Sequence, residues 1–432
     1  MERIIIKNFG PIKDVDLQIN DFMIFIGPQA SGKSTIAKLI YFYKNLHNEI
    51  RKFLFERIAN LGIREFSEKY EQNYALGCLE FYFFDIFPDT KIYKGSNIYF
   101  YFNANFALKI KIDNNGELNI SLPIEFANDF ERTLSEAKEL YDIDREDFNS
   151  AATKAQARID SFIIKTLDRT FSDNLYIPAG RGFISVISSQ IFNLKTENLD
   201  YFIKEFAYAI RFIRNDITLS ESNLINQSEE LKEKYLSIYR ILNRLQSRIL
   251  KGRYLYDKIN QKTGIEIGNN DFIPLDKVSS GQQEAVWVVQ YLIYRIYQIS
   301  LRSSFTVIEE PEAHLYPESQ KSITELIAVL VNLLNNQALI TTHSPYILAA
   351  VNNLLYANKI GKTHEKEVSE IVDKNLWLDF NRVDAYFVGG EGNEGKIKRI
   401  MDDELEMIEN QYLDSASSII NQEFDLIYDL ED

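Results

Sequence analysis

Apolar positions at the start of the chain follow a strand-like rhythm: Ile4-Ile5-Ile6 reads as one short strand, and Val15, Leu17 and Ile19 mark a second. Phe22-Met23-Ile24-Phe25-Ile26 is an uninterrupted apolar run, which predicts a strand buried on both faces, and it ends directly in a glycine-bearing loop. Residues 36–60 then show helical spacing. The stretch 74–122 is rich in aromatic and β-branched residues and is broken by turn signals at Pro88-Asp89, Lys94-Gly95-Ser96 and Asn114-Asn115-Gly116, which predicts an antiparallel sheet. From about 127 to 247 the pattern is helical and polar, interrupted by a strand-like Leu175-Tyr176-Ile177 that runs into Pro178-Ala179-Gly180-Arg181-Gly182. Strand character returns at Tyr254-Leu255-Tyr256 and Ile265-Glu266-Ile267. A helix from about 280, a strand at 305–308, a helix at 317–334 and a strand at 338–341 follow. With no internal repeat or low-complexity linker, this order predicts one interrupted α/β unit.

Composition narrows the class. The 432 residues are 45% hydrophobic and 26% charged with only 9 Pro and 18 Gly, as expected of a folded chain of two to three compact units. The formal charge of −15 argues against indiscriminate binding to nucleic acid or to an anionic membrane. Cys78 is the only cysteine, which excludes an intrachain disulfide and a thiolate metal cluster, and the four histidines are scattered at 47, 314, 343 and 364. No stretch approaches the roughly 18 apolar residues of a membrane span and the first residues lack a secretory h-region, so a cytoplasmic protein is expected. The acidity is uneven: residues 401–432 hold eleven acidic residues and no Lys or Arg. Leu413, Ala416, Ile420, Phe424 and Ile427 recur there at helical spacing, so an acidic amphipathic helix is expected, either packed on the body or docking a basic partner.

Four segments carry chemistry. Gly27-Pro28-Gln29-Ala30-Ser31-Gly32-Lys33-Ser34 fits G-x-x-x-x-G-K-[ST] between a buried strand and a helix. Glycines there let successive N–H groups and the helix N-terminus face phosphate oxygens, Lys33 places a charge near the β and γ phosphates, and Ser34 reaches Mg2+. Far downstream, the apolar strand Phe305-Thr306-Val307-Ile308 ends in Glu309-Glu310-Pro311-Glu312. Adjacent carboxylates at the carboxyl edge of a parallel sheet can hold the water shell of Mg2+ and orient an attacking water. Between these, Val278-Ser279-Ser280-Gly281-Gln282-Gln283-Glu284 sets small donors before a helix, and His343 follows the strand Ala338-Leu339-Ile340-Thr341, where it can donate to a γ-phosphate oxygen.

In this order the motifs resemble those of ABC-type P-loop ATPases, specifically the SMC, RecF and OLD-like branch of the AAA family ATPases seen in anti-phage defence systems. The segments Ile6-Lys7-Asn8-Phe9-Gly10-Pro11-Ile12, Ser279 to Gln283, Glu309-Glu310-Pro311-Glu312-Ala313-His314-Leu315-Tyr316-Pro317 and Thr342-His343-Ser344-Pro345 carry the resemblance. It implies an α/β, ABC-type P-loop ATPase fold with an antiparallel β lobe and a helical insertion. The parts would be an N-terminal ATPase lobe over 1–126, a mainly helical insertion over 127–250, a C-terminal ATPase lobe over 251–390 and an acidic helical tail over 391–432. It further implies that ATP and Mg2+ are the cofactors, that Gly27 through Lys33, Ser34 and Thr35 bind the phosphates, that Ser34 and Glu309 serve Mg2+, and that Glu310 is the catalytic base aided by His343 and Lys33. Ser279, Gly281 and Gln282 resemble the signature that completes the site of the opposite protomer, which implies a head-to-tail homodimer. Glu309 stands where the wider family has Asp, Ser280 where transporters have Gly, and no glutamine is assigned to the loop that senses Mg2+.

The resemblance makes an ATP-driven dimeric switch the leading expectation, controlling a separate effector such as a nuclease or toxin in anti-phage defence. The alternative is a DNA-binding ATPase of the SMC or RecF type in DNA repair or end sensing. Arg240, Arg244, Arg248 and Lys251 would line one helix face, as a solvated face or as a contact for a nucleic-acid backbone. Arg181 reads equally as a nucleotide or interface contact and as a structural residue. An OLD-type nuclease is disfavoured because residues 344–432 contain no Asp-x-Asp pair. A transporter ATPase is disfavoured by the long insertion between Thr35 and Ser279.

Overall fold

The computed structural model describes residues 2–59, 73–103, 106–143, 148–168, 172–187, 199–216, 229–257, 262–268, 271–297, 303–333, 336–390 and 392–409. Strands β3 (Phe22–Ile26), β7 (Leu175–Ile177), β11 (Ser304–Glu309), β12 (Asn336–Thr342), β13 (Val383–Val388) and β14 (Ile397–Arg399) form a sheet in the order β14-β13-β3-β12-β11-β7. All neighbours run parallel except β14, which is antiparallel to β13.

This sheet is buried on both faces, the condition that the continuous apolar runs anticipate. Alternate residues feed two cores. Phe22, Ile24, Ile308, Ala338, Ile340, Val383 and Ala385 enter one, and Met23, Phe25, Val307, Leu339, Tyr386 and Val388 enter the other. The first core is closed by α6 (Tyr201–Asp216), α7 (Glu229–Leu250), α8 (Ser280–Tyr297), α9 (Pro317–Asn332) and α10 (Pro345–Gly361).

The second core lies under an antiparallel sheet of β1 (Arg3–Phe9), β2 (Ile12–Gln18), β4 (Ser96–Tyr101), β5 (Ala107–Ile112) and β6 (Leu118–Ser121), ordered β2-β1-β4-β5-β6. Helix α1 (Lys33–Ile58) contributes to this same core, and its residues from Leu39 to His47 are buried without a break, as befits a helix enclosed on every side. Helices α3 (Ile124–Ile143) and α4 (Phe148–Leu167) pack on each other and on α1. The short α5 (Gly182–Ile187) follows β7 and packs on α8. A small antiparallel sheet, β10 (Asp271–Pro274), β9 (Lys262–Ile267) and β8 (Arg253–Asp257), lies between α7 and α8 along the chain, and the two helices pack on each other. Helix α11 (Glu365–Ile371) and the two-residue strands β15 (Met401–Asp402) and β16 (Met407–Ile408) lie towards the C-terminal end of the described residues.

Two expectations are corrected. Tyr74–Ile86 is helix α2 rather than the first part of a sheet. Its aromatic content suggests a strand, but Ala75, Cys78, Leu79, Tyr82, Phe83 and Ile86 are buried at three- and four-residue spacing, and the Asn73 side chain accepts from Leu76 N at 3.1 Å as an N-cap. The region expected to be an acidic helix from 391 instead begins as strand: β14 extends the central sheet, and β15 pairs with β16 while Asn352 clamps Ile408 through hydrogen bonds of 3.0 and 2.7 Å. The helical pattern from Leu413 onward lies outside the described residues. No described helix is long and apolar enough to cross a membrane.

Candidate active site

The strand register places the candidate residues at one edge. Thr342 stands opposite Ile26 and Glu309 opposite Thr341, so the loops that follow β3, β11 and β12 leave the sheet at the same level. This is the carboxyl edge of the parallel strands, where α/β sheets bind ligands.

The phosphate loop is shaped by close approaches. A side chain at Gly27 would lie 2.2 Å from the Val388 carbonyl oxygen, and one at Gly32, where φ is 102°, would lie 2.3 Å from Ile12 Cδ1. Gly32 therefore lets β2 sit against the loop while turning into α1. The Lys33 ammonium donates to the carbonyls of Gly27 and Pro28 at 2.8 and 2.7 Å. Burial pushes its pKa down to about 8, and Glu310 and Glu312 oppose that shift only in part. The Ser31 hydroxyl is enclosed and has no hydrogen-bond partner among the described residues. Lys33, the orphan hydroxyl and the N-terminus of α1 together suit an anionic phosphate.

The two adjacent glutamates face different surroundings. Glu309 is buried, and its carboxylate accepts from Tyr176 Oη at 2.7 Å and from Ala179 N at 3.0 Å. Burial, then the neighbouring Glu309, holds Tyr176 far above the ordinary phenol range, so it remains a donor. Glu310 adopts a left-handed backbone with φ 43°, its N–H donates to Thr341 O at 2.8 Å, and its side chain is half exposed. His343 Nε2 lies 3.7 Å from Glu310 Oε1. Glu312, which the sequence reading left without a role, accepts from Thr342 Oγ1 at 2.7 Å and from His343 N at 2.8 Å. Hydrogen bonds to a buried carboxylate are worth about 1.5–3 kcal/mol each, so this pair fixes the turn that carries His343. Ser344 then caps α10, accepting from Tyr346 N at 3.1 Å, with Pro345 in the first turn.

The structure brings Lys33, Glu310 and His343 to one edge and keeps the serine-rich turn separate. Ser279 and Gln282 form a reciprocal cap at the start of α8, with Ser279 N to Gln282 Oε1 at 3.0 Å and Gln282 N to Ser279 Oγ at 3.3 Å. Gln282 Nε2 also holds Leu250 O at 2.7 Å, and a side chain at Gly281 would strike the His314 carbonyl at 2.6 Å. No hydrogen bond joins this turn to Gly27–Thr35 among the described residues, and Ser279 and Ser280 face outward.

Arg181 is not exposed to a ligand: it is 1% accessible and donates to the carbonyls of Glu284, Pro178, Glu309 and Glu310 at 3.0, 3.1, 2.6 and 2.9 Å. The Glu284 carboxylate lies 3.8 Å from its Nε and accepts from Gly182 N at 2.9 Å. Removing one partner of such a buried pair typically costs about 3–5 kcal/mol.

Sequence reading also missed the glycine-rich turn after β13, Gly389-Gly390-Glu391-Gly392-Asn393-Glu394-Gly395. Its Gly389 has φ 75°, and a side chain there would lie 2.9 Å from Ser31 Cβ, while Gly395 O accepts from Lys13 N at 2.7 Å. The turn thus buttresses the phosphate loop. Four glycines directly after the apolar run Tyr386-Phe387-Val388 were the available signal.

The family model described as AAA ATPase domain, AAA_15, matches residues 1–348. The chain belongs to the AAA ATPase domain family. This AAA ATPase domain is mixed α/β, with a central, mainly parallel sheet, a five-stranded antiparallel sheet and helices inserted between them in the chain. No curated protein sequence matches the chain. Among solved structures, an SMC head bound to the C-winged helix domain of ScpA is similar at 14% identity over 92% of this chain and 96% of that one, with a TM-score of 0.38. The SMC head domain from Thermotoga maritima is similar at 12% identity over 92% and 97%, with a TM-score of 0.35. An SMC head with an extended coiled coil, bound to the C-terminal domain of ScpA derived from Pyrococcus furiosus, is similar at 12% identity over 98% and 99%, with a TM-score of 0.35.

The AAA ATPase family implies a nucleotide and, typically, a divalent metal. No cluster of three or more His, Cys, Asp or Glu among the described residues could hold a metal alone. Ser34 is exposed at the start of α1 and the Glu309 carboxylate is buried against Tyr176 and Ala179 at the end of β11; both are hard oxygens of the kind that suit Mg2+ carried by nucleotide phosphates and water.

Lys33 gives a testable linkage. Its depressed pKa means the unfolded chain holds more protons between about pH 8 and 10.5, so the apo fold gains stability as pH rises through that window. A bound triphosphate would restore the ammonium. Calorimetry of ATP binding at pH 8 in buffers of different ionisation enthalpy should register uptake of about half a proton per site, rising towards one near pH 9. Heats independent of the buffer would contradict the placement of Lys33 against phosphate.

Proposed function

We propose that this chain binds ATP with Mg2+ on the Gly27–Thr35 loop, hydrolyses it, and uses the cycle as a dimeric switch that controls a separate effector protein. The observation that carries the reading is the meeting of Lys33, Glu310 and His343 at one level of the sheet edge, with Ser279, Gly281 and Gln282 on an outward-facing turn. In this reading Lys33 neutralises the β and γ phosphates, Glu310 accepts the proton of the attacking water, and His343 donates to a γ-phosphate oxygen. Ser34 and Glu309 would hold Mg2+, which offsets charge on the transferring phosphoryl group. The outward turn would meet the γ phosphate of a second copy, so closure of the dimer would report bound ATP. By analogy with the branch it resembles, the effector is a nuclease or toxin of an anti-phage defence system.

Solution mass by light scattering tests this. Glu310→Gln should dimerise, or tighten an existing assembly, when Mg2+ and ATP are added, and its turnover should fall by about 100-fold or more, the contribution of a general base. A variant that ignores ATP yet hydrolyses it at the parental rate would remove Glu310 as the base.

A second reading, a DNA-binding ATPase of the SMC or RecF type serving repair or end sensing, is favoured by one surface. Arg240, Arg244 and Arg248 on α7 and Lys251 at its end are all exposed, and none makes an ion pair with a described residue. Under this reading Arg240/Arg244/Arg248→Glu abolishes salt-dependent binding to duplex DNA in a mobility-shift assay and spares ATP turnover. Equal DNA binding by parent and variant would discard it.

A further inference from the structure

Arg181 is a charged side chain enclosed in the core, and it joins the sheet edge to α8. Two of its carbonyl partners are those of Glu309 and Glu310. Glu310 needs such support because it is a non-glycine residue in the left-handed region, a conformation that lapses unless its surroundings impose it. Its peptide is held at both ends, by Thr341 O on the N–H side and by Arg181 Nη2 on the carbonyl side. The other end of the guanidinium fork reaches α8. Nε donates to Glu284 O, and the Glu284 carboxylate lies 3.8 Å away, buried, with Oε2 lacking a hydrogen-bond partner among the described residues. Glu284 follows the Ser279–Gln283 turn directly, and Ser185, four residues beyond Arg181, donates from its hydroxyl to Gln283 O at 2.5 Å.

We infer that Arg181 is the positioning residue for Glu310, fixing the left-handed turn that presents the base while tying that turn to α8, so that contact of a second copy's nucleotide with Ser279–Gln282 is transmitted to the base in the same chain. The inference rests on the proposed reading, in which Glu310 is the base and the Ser279–Gln282 turn acts on a second copy. The chemistry requires arginine rather than lysine: only a planar fork donates in the separate directions that four carbonyls occupy.

The test uses the full chain with ATP and Mg2+ and two substitutions, because Arg181→Ala removes a buried charge and threatens folding. Arg181→Lys keeps the charge and loses the fork. Glu284→Gln keeps the acceptor for Gly182 N and loses the charge that faces the guanidinium. Each should lower kcat by about 100-fold, the scale of an ångström-sized misplacement of a reacting group, while the ATP Kd stays within about two-fold of the parent. Each should also leave the ATP-dependent dimer intact in light scattering and lower the Hill coefficient for ATP turnover towards one. Parental kcat in both variants overturns the inference, as does a loss of kcat matched by an equal loss of ATP affinity and a lower Tm, which marks Arg181 as core support alone. A parent chain without turnover ends the ATPase reading and this inference together, whereas a working parent with unaffected variants ends this inference only.

Discussion

The constraint on which the rest depends is the level register of the parallel strands. Because Glu309 pairs with Thr341 and Thr342 with Ile26, the first residues beyond β3, β11 and β12 emerge side by side. A slip of one residue would exchange the two faces of a strand and send Phe25 and Met23 into the wrong core. Burial of both faces therefore specifies the register, and the register specifies the geometry of the edge. The chemistry at that edge is a consequence of packing far beneath it.

Concentrated charge at the edge is held by directional bonds more than by ion pairing. Three glutamates within four residues would repel, and each meets different surroundings: both oxygens of Glu309 are held by Tyr176 and Ala179, one oxygen of Glu312 is held by Thr342 and His343 while the other has no hydrogen-bond partner among the described residues, and Glu310 is left half exposed. The buried guanidinium of Arg181 addresses the backbone of this segment rather than its carboxylates, which leaves the Glu310 side chain half exposed to act on a substrate. Strand β7 and the turn after it thus serve the acidic strand twice, through Tyr176 and through Arg181.

Much of this was legible in the sequence because the signals were local. The run Phe22–Ile26 into a glycine loop, the strand before Glu309 and the strand before His343 all lie where pattern and motif put them. What escaped was set by tertiary contact. Tyr74–Ile86 carries strand-forming residues but buries one helical stripe against α1, and packing overrode propensity. The glycines at 389–395 carry no phosphate motif, and their purpose emerges only when β13 lies beside β3 and brings Gly389 against Ser31. Arg181 could not be resolved from sequence, since its partners lie more than a hundred residues away, at Glu284, Glu309 and Glu310.

The account turns on one claim, that a single nucleotide is held by the Gly27–Thr35 loop of one copy and by the Ser279–Gln282 turn of another. Hydrogen–deuterium exchange of Glu310→Gln with Mg2+ and ATP, at protein concentrations above and below that of half-dimerisation, tests it most directly. The account predicts slowed exchange at the amides of 27–35 at both concentrations, joined by 279–283 and 343 only when the dimer forms. Protection confined to 27–35 at every concentration would contradict it.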